Sequence, residues 1–174
     1  MTWFAKGLAA VRERRIDEAR VPVDRLAALG EKARRAGEDL FARNIRILEL
    51  EVRAWLAYGE GDEATSLNLI RDAAELESST PKHALTPGPT LPAHELWGDL
   101  LMEQGRGADA LAMYRTSLER YPRRFNSLIG AARAAAATGD SVAARNYYQE
   151  LLTVAAGAGR QAELEEARRF IGSR

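Results

Sequence analysis

The chain contains two histidines, His83 and His94, and the second is followed closely by two carboxylates, Glu95 and Asp99. Imidazole beside carboxylate is the raw material for a metal site or for general acid–base chemistry. The spacings that such chemistry uses are missing: there is no His-x3-His pair, no phosphate-cradling glycine loop and no nucleophile elbow. Cysteine is absent, which removes thiolate ligands, cysteine nucleophiles and disulfides. The reading is therefore non-enzymatic, with no catalytic residue, cofactor or metal. His94 is expected to pack at a helix interface while keeping one hydrogen bond. A small-molecule or metal pocket around His83 and His94 stays open as the alternative.

Composition narrows the class further. With 174 residues, 46% of them hydrophobic, the chain can build a continuous core, and it reads as one domain. Its 25 basic and 25 acidic residues cancel, so no net field draws it to nucleic acid or to an anionic membrane. No apolar run approaches the roughly 20 residues needed to span a bilayer, and a cytoplasmic location is expected.

The elements that must carry these residues are helical, and they recur. Gly105 and Gly139 stand 34 residues apart, as do Ala110 and Ala144, Tyr114 and Tyr148, and Gly98 and Ala132. Helices over 92–104 and 108–120 can pack closely only where their crossing carries little side chain, which Gly98 and Ala110 provide. Tyr114 and Leu118 fill the space beside that crossing, and Gly105 takes the turn between the helices. One such hairpin cannot bury its apolar face alone, and the copy at 125–137 and 142–154 supplies a neighbour.

A small residue in one helix, glycine in the turn, Ala-x3-aromatic in the next helix and Pro122 closing the unit resemble the tetratricopeptide repeat. That resemblance implies an all-α helix–turn–helix repeat solenoid of about nine helices whose work is to bind proteins. His94 stands where the repeat usually has its tryptophan. At the other end, Trp3, Gly7 and the Ile16–Ala19 run resemble a first repeat that begins abruptly. Residues 1–77 read as elongated, degenerate repeats, because Ala19, Ala64 and Ala110 are 45 and 46 residues apart. Pro22 should kink or interrupt the second helix, while Leu26, Leu29 and Ala33 continue its apolar stripe. In the third helix Leu40, Phe41, Ile45, Leu48, Val52, Trp55 and Leu56 recur at helical spacing and are expected inside.

Residues 78–91 form a proline-rich loop whose Lys82, His83, Thr86–Pro89 series resembles a segment of bacterial tetratricopeptide proteins of unassigned function. It reads as a rigid connector or as a binding element. Residues 92–155 hold the two regular repeats, and a helix over 160–171 caps the end, apolar on one face and charged on the other.

In such solenoids the first helix of each hairpin lines a concave groove. Helical projection places Arg46, Glu49, Arg53, Glu95, Asp99, Glu103, Asn126 and Arg133 there, exposed to a peptide or helix from a protein partner. Neither nucleic acid nor membrane insertion is expected. The runner-up is a self-assembling module, or one that contacts an upstream domain.

Overall fold

A computed structural model describes residues 2–81, 89–155 and 159–172. The described residues are all-α, with nine helices: α1 Thr2–Arg12, α2 Ile16–Arg35, α3 Asp39–Gly59, α4 Glu63–Ser79, α5 Ala93–Glu103, α6 Gly107–Arg120, α7 Phe125–Ala137, α8 Ser141–Val154 and α9 Gln161–Gly172. Helices α1 to α4 pack on their neighbours in chain order, and so do α6 to α9, as in a helical repeat. The chain divides into two compact units, Met1–Ala93 and His94–Arg174, where the sequence led us to expect one domain. The boundary falls just after the proline-rich segment, whose first two residues, Ser78 and Ser79, turn out to be the last turn of α4.

The turns explain why the helices stop where they do. At each of five helix ends the residue after the cap takes positive φ, and the N–H that follows it bonds back to the carbonyl five residues earlier, closing a Schellman motif. Gly105 (φ 71°) and Gly139 (φ 81°), the pair matched at the 34-residue interval, fill this slot after α5 and α7. Arg14 fills it after α1 with φ 59°. Asp62 and Asp140 then cap the helices that follow, accepting from Thr65 N and Ala143 N at 3.0 Å each.

In the second unit the close crossing is the expected one. A Cβ on Gly98 would stand 2.7 Å from Tyr114 Cε1, and one on Gly130 would stand 2.4 Å from the same atom. The buried Tyr114 ring thus fits between α5 and α7 because neither presents a side chain to it. The next layer is built alike: Tyr148 packs with Leu128, Ala132 and Leu151, and its ring meets Phe170 of α9 at 5.0 Å. Leu164 and Ala167 bury the inner face of α9.

The first unit uses the same device. A Cβ on Gly7 would meet Val52 Cγ1 at 2.6 Å and Pro22 Cβ at 3.2 Å, so α1 lies directly in the groove between α2 and α3. Helix α2 runs through Pro22 without the interruption that was one of the two outcomes expected of it. The only bond its missing N–H removes is to the Glu18 carbonyl, on an exposed turn that water can serve, while the ring itself is buried against α1. The apolar stripes of α2 and α3 are also not buried along their full length: Leu29 and Phe41 are exposed. Glu77 closes the unit, its buried Oε2 accepting from Ala93 N at 3.0 Å.

Among the described residues no helix is long and apolar enough to cross a membrane. We expect Gly130→Ala to lower stability by about 1–3 kcal/mol, the cost of overpacking a crossing whose opposing ring cannot withdraw. Thermal melting checks it, and an unchanged midpoint would refute the assigned packing.

Candidate functional site

Of the residues assigned to a binding groove, Arg46, Glu49 and Arg53 lie on α3, where spacings of three and four put them on one face. Glu49 is buried, which corrects its expected exposure. Its Oε1 accepts from Arg46 Nη1 at 2.7 Å and from Arg53 Nη1 at 3.3 Å. Two half-exposed guanidiniums therefore share one carboxylate oxygen, leaving a net single positive charge. Each spends one of its five donors on Glu49, and the others find no partner among the described residues.

The acidic stripe on α5 is not a surface. Glu95, expected to be exposed, is 1% accessible. Arg124 grips it with two bonds, Nε to Oε2 at 2.9 Å and Nη2 to Oε1 at 3.0 Å. Ser127 Oγ donates to Oε2 at 2.5 Å, and the Ser127 and Ser117 hydroxyls meet at 2.9 Å. This buried polar network ties α5 to α6 and α7. The carboxylate can lie inside because Arg124 and Ser127 together meet its charge and its lone pairs. Asp99, also expected to be open, is partly buried and accepts from the Tyr114 hydroxyl at 2.7 Å. Burial first, and Asp99 second, push that phenol above its ordinary pKa. Glu103 alone of the three stays exposed.

On α7 the expected positions are engaged by α9 and by Arg160, the residue before it. Asn126 Oδ1 accepts from Arg160 at 3.1 Å. Arg133, exposed as predicted, is clamped by Glu166, with Nε to Oε1 at 2.9 Å and Nη2 to Oε2 at 2.6 Å. Tyr148 also donates to Glu166 Oε1, at 2.6 Å. Asp99 and Arg133 occupy equivalent positions 34 residues apart with opposite charge. Arginine cannot accept the hydroxyl of Tyr148 as Asp99 accepts that of Tyr114, so Glu166 arrives from α9 and satisfies both. The sequence reading missed Arg124, Ser127 and Glu166. The reversal of charge at a repeated position was the one legible signal, for it left Tyr148 without an acceptor.

His94 is half-buried beside Trp97, ring centroids 6.2 Å apart. Burial, followed by the nearby Arg120, lowers its pKa and favours the neutral ring. Among the described residues no three acidic or imidazole groups are placed to hold a metal. His83 lies outside the described residues. No protein-family model matches the chain, and no curated protein matches it either.

The hydrogen bonds from Arg133 hold the Glu166 carboxyl below its ordinary pKa, helped by Tyr148. A carboxylate with a depressed folded-state pKa stabilises the fold above its unfolded value of about 4.5, and that contribution is lost as pH falls through the folded value. The melting temperature should therefore fall more steeply below pH 4.5 in the wild type than in Glu166→Gln. Parallel pH profiles would contradict this role for Glu166.

Proposed function

We propose that this chain is a protein-interaction module of the tetratricopeptide kind, which holds a segment of a partner and catalyses nothing. The reading rests first on one observation: Arg46 and Arg53, fixed on a packed helix by the buried Glu49, keep most of their donors unspent. Arginine presents a planar fork of donors suited to carboxylates, and holding it in place before binding lowers the ordering cost. The repeated hairpins support the same reading, because rigid helix faces are what such modules offer to a partner.

The spacing specifies the ligand. Arg46 and Arg53 are seven residues apart, about 10 Å along a helix, a distance that an extended chain crosses in about three residues. The partner segment is accordingly a peptide in the extended polyproline II conformation, whose three residues per turn put acidic side chains three apart on one side. Glu95, Asp99 and Arg133 drop out of the binding surface, because each is engaged within its own unit. The balanced net charge supports a protein partner over nucleic acid.

A fluorescent peptide with two glutamates at that spacing should bind with micromolar affinity and weaken as salt is raised. Replacing Arg46 and Arg53 together by Ala should cost at least tenfold in affinity while circular dichroism stays helical. Equal binding by the double variant would refute the site.

A further inference from the structure

The row that begins with Arg46 and Arg53 continues past Arg53. One more seven-residue step along α3 reaches Glu60, which keeps right-handed helical dihedrals at the cap and so stays in line with the two arginines. Arg20 reaches across from α2 to that point and donates from Nη2 to Glu60 Oε1 at 2.5 Å. A third guanidinium thus lies on the same line, roughly 10 Å beyond Arg53. One step in the other direction meets Asp39, and the reversal of charge ends the row.

Arg20 is held as the other two are. A carboxylate of α3 fixes each of the three, Glu49 for Arg46 and Arg53 and Glu60 for Arg20, and each guanidinium stays close to half-exposed. Asp17 stands 3.6 Å from Arg20 Nε, too far for a hydrogen bond. Arg20 therefore spends one of its five donors, and the others find no hydrogen bond among the described residues.

The line is a single file. Leu56 and Ala57, on either side of it between Arg53 and Glu60, are buried, so no second row of charge runs beside it. A file that repeats at about 10 Å suits a chain that turns one side chain to it at each repeat, and polyproline II does so every three residues, or about 9 Å. A partner α-helix would bring a side chain about every 5 Å and set alternate carboxylates over Glu49.

We propose that Arg20 is the third cation of the Arg46–Arg53 site, and that the segment taken there is an extended peptide with three acidic side chains, each three residues from the next. This rests on the reading of Arg46 and Arg53 as binding residues, to which it adds the length and the charge pattern of the partner segment. A segment with two acidic residues fills the first two positions and leaves Arg20 to Glu60 alone.

Two fluorescent, proline-rich peptides separate the claims by anisotropy with the full chain, one with two glutamates three residues apart and one with a third glutamate three residues further on. The third glutamate should tighten binding by about fivefold, the upper range for an exposed charge pair. Arg20→Ala should remove that gain and leave the two-glutamate peptide unchanged. Arg20→Glu should weaken the three-glutamate peptide and favour one with lysine in place of the third glutamate, a reversal that a purely structural role for Arg20 would not produce. Equal affinity of the wild type for the two glutamate peptides, or an equal loss for both in Arg20→Ala, overturns this proposal and leaves the Arg46–Arg53 site standing. If neither peptide binds, both readings fall.

Discussion

Tyr114 is a large ring in a space that exists only because two helices present glycine to it. Gly98 and Gly130 set how closely α5 and α7 approach α6, and the hydroxyl must then find an acceptor inside, which Asp99 provides. Once that distance is set, Glu95 falls within the α5–α7 contact, and its charge has to be met there by Arg124 and Ser127. The first unit obeys the same constraint at Gly7, over which Val52 and Pro22 close, and at Gly59, where an added Cβ would stand 2.5 Å from Ile16 Cδ1. Small residues at crossings thus decide which polar groups are enclosed.

That constraint also decides what the surface can do. In the second unit the groups that looked most suited to binding are used to hold helices together. Glu95 is spent on Arg124, Asp99 on Tyr114, and Arg133 on Glu166. Charge left partly unmatched lies on α3, where one buried carboxylate answers two arginines. Exposed apolar side chains are found at the far ends of α2 and α3, at Leu29 and Phe41, and elsewhere at Val21 and Val142.

Much of this was legible before any coordinates. The 34-residue interval located the hairpins of the second unit, and the bounds of α7 were read as they stand, because glycine turns and helical periodicity act locally. The glycine of α5 at its crossing was legible for the same reason. What escaped was set by tertiary contact. Helical projection gives a residue's direction but not what lies opposite, so Glu95 looked like surface. Phe41 looked like core because its spacing is that of a buried stripe, and spacing does not say whether anything packs against it. Pro22 looked like a break because the rule considers the lost bond and the ring clash without the packing that offsets them.

The central claim is that binding belongs to the α3 face of the first unit and not to α5. Nuclear magnetic resonance of the isotopically labelled chain, titrated with the peptide bearing glutamates three residues apart, tests it residue by residue. The account predicts amide shifts concentrated around Arg46, Glu49 and Arg53, with α5 unchanged. Shifts centred on Glu95, Asp99 and Glu103 instead, or none anywhere at millimolar peptide, would contradict it.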